Sequence, residues 1–583
     1  MLSIRIRPLT QRSQLHRIRP DLIHRASFTG DVRKMAQEFK LKDLTTIDLK
    51  NGQKLEADVE GIEEGKVLLV KVKDEVHALS PKCTHYGAPL KLGVVTGEGR
   101  LTCAWHGACF NVASGDVEDA PALDPLAKFE IIQKNGGVYI KGDKEGITSS
   151  RRSLNLKCQA QGQEKVLVIG GGSGTIGAIE GLRGGKYTGH ITVISKEGYR
   201  PIDRTKLSKA LLADVSKVAW RSPDFYKDAS IDIFEDEVTK VDFASKKVSV
   251  ESGKTYDYTK LVLASGGAPK SLPLPGLKLG ELKNVFLLRS VPDVQGIVDA
   301  VGDNGKKIVV IGSSFIGMEV ANALVQKKND VTVVGMEKQP MDRIMGEKVG
   351  KIFRGLIEKS GVKFHMEASV DKATPSKSDP SKVGAVHLKD GTTLEADIVI
   401  EGVGVGPATE FLKDSGIPLE KDGSVGVDES FAVPGHKDVF AIGDIATYPY
   451  HGPNGNGTPV RIEHWNVAQN QGRSVANSIA KPNAARPKPF IPIFWSALGS
   501  QLRYCGHTVG GYDDVILSGE PEKPSWVAFY TKGETVVAVA SMMKDPYMAQ
   551  AAELMRRGKM PSKSDIVKGV DILEVSIPSE IKM

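Results

Sequence analysis

The stretch KVLVIGGGSGTIGAIEGLR (165–183) has the pattern of a buried strand, a glycine-rich turn and a helix. Such a turn suits a dinucleotide, because glycines let the backbone approach a pyrophosphate at the positive amino end of the helix. The same order recurs in KKIVVIGSSFIGMEVANALVQ (306–326). Two strand–glycine–helix units in series predict two dinucleotide-binding domains with parallel sheets.

The glycines of the first unit fit the pattern G-x-G-x-x-G in two registers. In one register, Gly170 and Gly172 take the first two positions and Thr175 takes the third. The other register uses Gly172, Gly174 and Gly177. We favour the first register, because it places Glu180 on the helix as the motif requires. The predicted dinucleotide contacts here are Gly170, Gly172, Gly174 and Thr175.

The second unit replaces the middle glycine with serine and offers Gly312, Ser314 and Gly317. In both units an acid follows the next strand, Glu197 in the first and Glu337 in the second. An acid at this position accepts a hydrogen bond from a ribose 2′-hydroxyl and repels a 2′-phosphate. No arginine stands beside Glu337 in the sequence, although Lys338 does. We therefore expect NADH to be preferred over NADPH.

A later segment, DVFAIGDIA (438–446), ends a predicted strand with Gly443 and Asp444. In flavoproteins with two dinucleotide-binding domains, an aspartate in this setting hydrogen-bonds the ribityl chain of the flavin. An ordinary Gly-Asp turn is the other interpretation. Because the segment lies downstream of both units, it favours an FAD domain interrupted by an NAD domain.

Two loops ahead of these domains, CTHYGAPL (83–90) and CAWHGACF (103–110), each offer one cysteine and one histidine. The pairs read C-x-H and C-x-x-H, with seventeen residues between them. Two thiolates and two imidazoles are the ligand set of a Rieske [2Fe–2S] cluster, with the cysteines on one iron and the histidines on the other. The predicted metal ligands are Cys83, His85, Cys103 and His106.

Two other interpretations of these loops stay open. One is a Cys2His2 zinc site, although such sites more often pair cysteine with cysteine and histidine with histidine. The other is two unrelated Cys/His pairs. The chain has five cysteines, an odd and sparse number, which excludes a disulfide scaffold and fits a reducing compartment.

The charge of the chain is concentrated at its amino end. Residues 1–30 contain six arginines, no lysine and one acid, so they carry +5 of the net +7. This pattern predicts a mitochondrial transit peptide, with a disordered basic tail as the alternative. Met35 is a candidate second start that would give a cytoplasmic form.

The rest of the chain is nearly neutral, which argues against nucleic-acid binding. No apolar run reaches the roughly 18 residues of a membrane span.

The 583 residues exceed what one hydrophobic core can organise. The pattern predicts an all-β Rieske domain, then two Rossmann-like α/β domains, then an α+β domain. The predicted boundaries are a transit peptide at 1–34, the Rieske domain at 42–145, a linker at 146–163, the FAD domain at 164–300 and 426–485, the NAD domain at 301–425, and a carboxy-terminal domain at 486–583.

Around the expected flavin site the sequence resembles a known family. YRPIDRTKLSKAL (199–211), FIGMEVA (315–321), VFAIGD (439–444) and FWS (494–496) are similar to segments of oxygenase-type ferredoxin reductases and apoptosis-inducing-factor flavoproteins. With CAWHGACFNVASGDVEDAPALDPL (103–126) ahead, nearly the whole chain after the leader resembles the Rieske-bearing, apoptosis-inducing-factor-like branch.

The resemblance implies roles for particular residues. Arg204 and Lys209 would contact FAD, with Lys209 beside the isoalloxazine. Glu319 would pair with Lys209 and approach the nicotinamide; a purely structural ion pair is the alternative. Trp495 would cover the nicotinamide side of the flavin, unless it is a core tryptophan. Some relatives dimerise through the carboxy-terminal domain, so either a monomer or a homodimer is expected.

The sequence departs from respiratory Rieske proteins, which carry a second cysteine in each loop and join them in a disulfide. Here those positions are Ala88 and Trp105, and Cys109 is expected to be a buried structural thiol. The absence of this disulfide favours a reduction potential in the lower part of the Rieske range, from about −150 mV upward.

No cysteine pair lies near 199–211, which argues against a dithiol reductase. The sequence instead predicts electron flow from NADH through FAD to the cluster and on to an unidentified acceptor, a protein or a small molecule. Two alternatives are an NADH-sensing signalling or scaffold protein with slow turnover, and the reductase component of a Rieske oxygenase.

Overall fold

The computed structural model describes residues 37–483 and 490–577, so the predicted leader and Met35 lie outside the described residues. The amino-terminal unit consists of two antiparallel sheets. The first contains, in spatial order, Gln37–Lys40, Gly137–Gly142, Lys128–Lys134, Glu75–Leu79, Lys66–Val72 and Lys54–Asp58. The second contains Val94–Val95, Arg100–Thr102, Cys109–Asn111 and Val117–Asp119. A short 3₁₀ helix covers Leu90–Leu92.

This unit extends beyond its predicted bounds at both ends. Strand Gln37–Lys40 pairs with Gly137–Gly142 and precedes the predicted start at 42. Helix Lys144–Ser149 enters the predicted linker and buries Ile147 in the core of the unit. The Asp143 side chain caps this helix by accepting from the Gly146 amide at 2.7 Å. The capping side chain therefore allows a helix to form in a polar segment whose sequence shows no helical periodicity of apolar residues.

The first nucleotide unit has a parallel sheet in which Val166–Ile169 are almost fully buried. Such continuous burial is typical of a strand covered on both faces. Its strands, in spatial order, are Ile231–Glu235, His190–Ser195, Lys165–Ile169, Lys260–Leu263 and Val439–Ala441. Two smaller sheets contain Val238–Asp242, Lys247–Val250 and Thr255–Asp257, and Val425–Gly426, Ala446–Tyr450 and Thr458–Val460. Its helices are Ser173–Gly184, Thr205–Ala210, Val215–Val218, Pro223–Asp228 and Trp465–Ala480, with 3₁₀ turns at Glu410–Leu412 and Gly443–Ile445.

Helices Ser173–Gly184 and Trp465–Ala480 pack against each other at glycines. A Cβ on Gly177 would lie 2.2 Å from the carbonyl oxygen of Gln469, and a Cβ on Gly472 would lie 2.2 Å from that of Gly174. Only glycine permits backbones to come this close. The contact places the first turn of the second helix beside the glycine-rich turn of the first.

The second nucleotide unit repeats the parallel design. Its strands, in spatial order, are Val285–Phe286, Ile398–Glu401, Lys307–Ile311, Asp330–Val334 and Lys363–His365. Its helices are Val291–Val301, Phe315–Val325 and Asp342–Lys359, and a small sheet contains Val370–Pro375, Val383–Leu388 and Thr393–Glu395. Strands Gly267–Pro269 and Val405–Pro407 pair where the chain enters and leaves this unit.

The limits of this second unit differ from the predicted 301–425. Strand Val285–Phe286 already pairs with Ile398–Glu401, so the unit begins before 301. Leu412 and Ile417 pack in the core of the first unit, so the return occurs before 426. The two-residue strand is too short to produce a recognisable pattern in the sequence.

The carboxy-terminal unit is one antiparallel sheet with helices on one face. Its strands, in spatial order, are Ile493–Ala497, Gln501–Gly506, Thr535–Met542, Ser525–Lys532 and Asp514–Glu520. Its helices are Tyr547–Arg556 and Lys563–Val567, with a 3₁₀ turn at Ile572–Glu574. Trp526 packs on Phe353 of the second nucleotide unit, while Met548 packs on the opposite face of the sheet.

The predicted fold class is confirmed: an all-β unit precedes two α/β units, and an α+β unit follows. Across the ranges that the structure describes, no helix combines the length and the apolar character needed to cross a membrane.

Candidate functional site

The two cysteine–histidine loops have the same backbone geometry. In the first loop the Cys83 amide donates to the Ala88 carbonyl at 2.8 Å, and the Gly87 amide donates to the Cys83 carbonyl at 2.9 Å. The loop built on Cys103 repeats both bonds at 2.8 and 3.1 Å. The glycines after the two histidines have φ of 76° and 72°, where other residues are strained. Matched loops therefore present their side chains to one centre.

Cys83 and Cys103 form a buried thiol pair between these loops. Their mutual hydrogen bond, together with burial, raises the pKa of Cys83. The same hydrogen bond lowers the pKa of Cys103. Each sulfur also accepts from two backbone N–H groups of its own loop. Backbone donors aimed at sulfur stabilise metal-bound thiolates, so this pair fits the cysteine side of a [2Fe–2S] cluster.

His85 and His106 form the second pair. Their Nδ1 atoms lie 3.0 Å apart, close enough to share one metal ion. The buried Nε2 atom of His85 has no hydrogen-bond partner within the described chain. In residues 37–483 and 490–577 no three or more His, Cys, Asp or Glu side chains converge on a single metal position. Two separate pairs of donors suit the two irons of a Rieske cluster, so the four predicted ligands fit it.

A cavity of about 900 Å³ lies where the strands of the first parallel sheet end. This is the position at which parallel α/β sheets bind their ligands. Gly170, with φ of 112°, lines the cavity. A Cβ there would lie 2.1 Å from the Ala264 carbonyl oxygen, so the turn packs closely against the neighbouring strand. A Cβ on Gly172 would meet no protein atom within 4 Å and would occupy cavity space instead. The turn thus fits a closely bound pyrophosphate. The predicted residues that line the cavity are Gly170, Gly172, Gly174, Glu197, Arg204 and Asp444.

Thr175 lies behind this turn and is fully buried rather than facing the cavity. Its hydroxyl donates to the Gly170 carbonyl oxygen at 2.6 Å. In the second unit the equivalent residue is Gly317, where a Cβ would lie 2.1 Å from the Gly312 carbonyl oxygen. The third motif position therefore supports the turn in both units, by a hydroxyl in one and by close packing in the other. This placement is consistent with the favoured register, but the predicted direct contact of Thr175 with the dinucleotide is wrong, because its side chain is buried behind the turn and bonds the backbone.

Two ion pairs form the polar wall of the cavity. Arg204 contacts Glu197 at 2.6 Å, and Arg289 contacts Asp444 at 2.8 Å. Arg204 also donates to the Arg289 carbonyl at 2.6 Å. The guanidinium groups suit the phosphates of a dinucleotide, and the carboxylates suit its hydroxyls. Sequence reasoning missed Arg289, which lies outside any motif; the only local signal is the Ser290 capping box of the helix that follows it.

Lys209 and Glu319 meet at the junction of three units. Lys209 Nζ lies 2.8 Å from Glu319, which is 4% exposed. Ser208 and Ser496 donate to the two carboxylate oxygens of Glu319, each at 2.5 Å. The predicted pair therefore forms, and the carboxy-terminal unit contributes Ser496 to it. Burial, aided by the charge of Lys209, lowers the pKa of nearby His464 to about 3.

The second glycine turn repeats the geometry of the first. Gly312 has φ of 110°, and a Cβ there would lie 2.4 Å from the Gly402 carbonyl oxygen. Ser314 is the residue before helix Phe315–Val325. Glu337 accepts from Ser313 at 3.1 Å and also contacts Arg343 at 3.1 Å.

No arginine adjoins Glu337 in the sequence, but the fold brings Arg343 into contact with it. Arg343 is six positions along the chain, and the turn before helix Asp342–Lys359 brings it back. Its side chain is 75% exposed and so can move.

Besides Trp105 of the second loop, three tryptophans of the following units contact the histidine pair. The rings of Trp465 and Trp495 lie 5.7 and 5.6 Å from that of His85, and Trp220 lies at 6.3 Å. Trp495 also lies 4.3 Å from His106. Trp465 lines the 900 Å³ cavity, and Trp495 does not. Aromatic contacts thus connect the cluster loops with the wall of the nucleotide cavity.

Sequence reasoning missed Trp465 and Trp220, and the structure shows why. Trp465 begins a helix that His464 caps by accepting from the Asn466 amide at 3.3 Å. Asn466 also donates to the His106 carbonyl at 3.4 Å. A tryptophan at a helix start gives no functional signal in a sequence. Trp495 lies against the histidines, so its predicted place over the nicotinamide side of the flavin stays a prediction.

Polar contacts attach the amino-terminal unit to the first nucleotide unit and to the carboxy-terminal unit. Arg221 of the first nucleotide unit contacts Asp124 and Glu180, both at 2.7 Å. On the carboxy-terminal unit, Glu553 accepts from Thr102 at 2.8 Å and lies 3.6 Å from Arg100. Arg557 and Glu98 pair across the same interface. The cluster loops are therefore held between two units by buried ion pairs.

Fold and site together define a class: a reductase with two dinucleotide-binding domains, fused to a Rieske domain. Three family models agree, namely "Pyridine nucleotide-disulphide oxidoreductase" over residues 164–472, "Rieske [2Fe-2S] domain" over 40–130 and "Reductase C-terminal" over 493–572. The chain belongs to the pyridine nucleotide-disulphide oxidoreductase family, and the resemblance of its sequence to Rieske-bearing, apoptosis-inducing-factor-like flavoproteins is confirmed.

Among individual proteins, the chain is similar to human "Apoptosis-inducing factor 3", at 38% identity over 89% of this chain and 84% of the human protein. It is 30% identical to the "Benzene 1,2-dioxygenase system ferredoxin--NAD(+) reductase subunit" of Pseudomonas putida, over 61% of this chain and 83% of that one. A crystal structure of the covalent putidaredoxin reductase–putidaredoxin complex matches with a TM-score of 0.65 and 27% identity, over 71% of this chain and 98% of that one.

Proposed function

We propose that this oxidoreductase takes electrons from NADH through FAD into its own Rieske cluster and passes them to a further acceptor. FAD would supply the chemistry of taking a hydride and releasing two electrons one at a time, and the [2Fe–2S] cluster would carry single electrons. The protein would bind, orient and shield these groups.

One observation carries the proposal: His85 contacts Trp465, which lines the nucleotide cavity, and Trp495 contacts both histidines. Trp465 lines the cavity and lies 5.7 Å, ring centre to ring centre, from His85. Trp465 and Trp495 are themselves 5.3 Å apart. A cluster held by these histidines would therefore be separated from the cavity by about one layer of aromatic side chains. Such a short separation favours direct transfer within one molecule.

The second nucleotide unit would bind the hydride donor. Gly312, Ser314 and Gly317 would bind the pyrophosphate of the donor, and Glu337 its ribose. Lys209 and Glu319 would hold the polar end of the nicotinamide close to the flavin. The full set of hydrogen bonds to Glu319 fixes its carboxylate in one orientation. Their role is to position the donor rather than to transfer a proton.

The test is anaerobic addition of NADH to the protein loaded with FAD and cluster, followed by the cluster's electron paramagnetic resonance signal. We expect the reduced Rieske signal to develop together with flavin bleaching. A bleached flavin with a silent cluster would contradict the proposal and favour the sensing role. A double variant that removes both cysteine ligands, Cys83→Ser with Cys103→Ser, provides the control in which flavin bleaching continues alone.

We further propose that NADH is the preferred donor and that the mature protein is mitochondrial. The donor preference is supported by Glu337, and it is tested by comparing kcat/KM for NADH and NADPH. The location is supported by the arginine-rich residues 1–30. Amino-terminal sequencing of the endogenous protein would test it, since an intact start at Met1 in a mitochondria-free fraction would contradict the proposal.

A further inference from the structure

The two cluster loops share one backbone geometry but have different surroundings. A Cβ on Gly107, in the second loop, would lie 2.6 Å from Ile493 of the carboxy-terminal unit. A Cβ on Gly87, in the first loop, would meet nothing within 4 Å. The second loop is therefore covered by another unit, whereas the tip of the first loop reaches solvent.

The histidine edge of the cluster site is covered as well. His106 is buried, and the tryptophans of the reductase contact both rings. A partner protein thus has no direct route to the histidines from that side. An electron acceptor has to approach elsewhere.

Tyr86 provides the exposed contact with this pair. Its ring stacks on His85 with centres 3.8 Å apart and planes at 15°, and it meets His106 edge-on at 5.6 Å. It is nevertheless 39% exposed. Its hydroxyl bonds the buried Asp203, which fixes the ring against the first nucleotide unit. A molecule resting on Tyr86 is therefore one ring away from a ligand histidine.

Cationic groups lie beside this tyrosine and along the loop that carries it. Lys206 Nζ lies 5.8 Å from the ring centre, and Arg151 donates to the Thr84 carbonyl at 3.3 Å. Lys82 is exposed and lies at the base of the same loop, where it forms a bridge with Pro89. The set comprising Tyr86, Lys82, Lys206 and Arg151 is called the Tyr86 surface below.

The carboxylates that balance these cations lie beneath them. Lys206 is 3.7 Å from Asp203, whose side chain is 1% exposed. Arg151 is 3.1 Å from Asp124, whose side chain is 11% exposed, whereas the Arg151 side chain is 50% exposed. A partner at the Tyr86 surface therefore meets an exposed aromatic ring with cations beside it.

We propose that the Tyr86 surface is the docking site for an acidic electron-transfer protein. The inference rests on the proposed function, since the acceptor would take one electron from the reduced cluster in each encounter and two acceptors would be reduced for each NADH. Opposite charge would steer the partner, and Tyr86 would set the distance of closest approach to His85.

Binding between oxidised proteins tests the surface without any turnover. The probe is cytochrome b5, an acidic haem protein, with the basic cytochrome c as the opposite charge. We expect low-salt titration calorimetry to detect cytochrome b5 and not cytochrome c. The double variant Lys82→Glu with Lys206→Glu should weaken cytochrome b5 binding on the order of tenfold or more. Lys359→Glu, an exposed lysine of the second nucleotide unit, is the matched control.

The rate of cluster reoxidation provides a second test beside the binding measurement. The cluster and flavin are reduced with dithionite, freed of excess reductant and mixed with oxidised cytochrome b5, so that the measurement does not depend on NADH. We expect the double variant to slow cluster reoxidation on the order of tenfold while the cluster's resonance signal stays unchanged. Tyr86→Phe, which keeps the ring, should bind cytochrome b5 like the original protein.

Three outcomes would overturn the proposal. These are equal binding by the double variant and the original protein, a preference for cytochrome c, or reaction with small-molecule oxidants while neither cytochrome binds at low salt. Failure of NADH to reduce the cluster would instead contradict the proposed function and leave these two readouts intact.

Discussion

The buried cysteines of the amino-terminal unit differ in what surrounds their sulfur atoms. Cys103 accepts backbone N–H bonds and a bond from Cys83, whereas Cys109 lies 3.8 Å from Glu118. Burial raises the pKa of Cys109 to about 12, so its thiol stays protonated. The pair therefore has the environment of metal ligands, and Cys109 has that of a structural thiol.

Replacing single cysteines checks this distinction. We expect Cys103→Ser to abolish the cluster's visible absorption and resonance signal while FAD content is unchanged, because a serine hydroxyl is a poor ligand for this iron. Cys109→Ser, equally buried, should retain the cluster. Loss of the cluster in Cys109→Ser with retention in Cys103→Ser would contradict the ligand assignment.

Glu319 is held by three donors from two units, which predicts that its orientation matters for hydride entry. We expect Glu319→Gln to slow anaerobic flavin bleaching by NADH on the order of tenfold or more, since the charge partner of Lys209 is lost. Ser496→Ala should give a smaller slowing with KM for NADH unchanged. Stopped-flow absorbance measures both, and unchanged rates in Glu319→Gln would identify a purely structural ion pair.

The contact of Glu337 with Arg343 predicts that one substitution alters donor preference. We expect Glu337→Ser to lower the ratio of kcat/KM for NADH to that for NADPH at least about tenfold, because Arg343 becomes available to a 2′-phosphate. The double variant Glu337→Ser with Arg343→Ala should lose the gain with NADPH. A ratio unchanged by Glu337→Ser would show that this acid does not contact the donor's ribose.

At the scale of elements, the paired strands Gly267–Pro269 and Val405–Pro407 connect the two nucleotide units. Glu401 ends the strand that leads into this connection, and it accepts from the Leu272 amide at 3.0 Å. Burial raises the pKa of Glu401 to about 7, from an ordinary value of 4.5. The folded protein thus prefers the protonated acid.

This shift has a definite sign for stability. The contribution of Glu401 to the free energy of unfolding is fully present while the residue is protonated in both the folded and the unfolded protein. It falls as pH rises from 4.5 through about 7, where the folded state loses its proton. We expect Glu401→Gln to raise Tm at pH 8 by about 2–4 °C, roughly 1 kcal/mol after screening, and to give no gain at pH 5. Calorimetric scans at both pH values measure this, and an equal effect at both would contradict it.

The same elements show what the sequence could and could not predict. Continuous apolar strands and glycine turns predicted both parallel sheets, because burial on two faces and a tight turn restrict residue choice strongly. Strand Val285–Phe286 and helix Lys144–Ser149 escaped prediction, since very short elements depend on their neighbours or on one capping side chain. Trp465 escaped for a related reason, as its position depends on glycine contacts between two distant helices.

For the whole molecule, the decisive feature is how firmly the amino-terminal unit is docked. Burial alone would raise the pKa of Glu553, but Arg556, Arg100 and Arg557 outweigh it and lower that pKa. The four predicted cluster ligands follow from residue type and spacing. Their position against the tryptophans does not, because it depends on contacts more than a hundred residues apart in the chain, such as Tyr86 with Asp203.

Removing the shared carboxylate should weaken this docking. We expect Glu553→Ala to lose about 3–5 kcal/mol of interface stability, because it deprives buried arginines of their common partner. Limited proteolysis should then cut faster in the connecting segment 150–163. Exposed Glu410→Ala is the control. Equal cleavage rates in the two variants would show that the ion pairs do not hold the units together.

Electron transfer from flavin to cluster within one molecule is tested by the rate of cluster reduction after rapid anaerobic mixing with NADH, measured over a hundredfold range of protein concentration. The docked arrangement of His85, His106 and Trp465 predicts a first-order rate that does not depend on protein concentration. A rate that rises in proportion to protein concentration would mean transfer between molecules and would contradict transfer within one molecule.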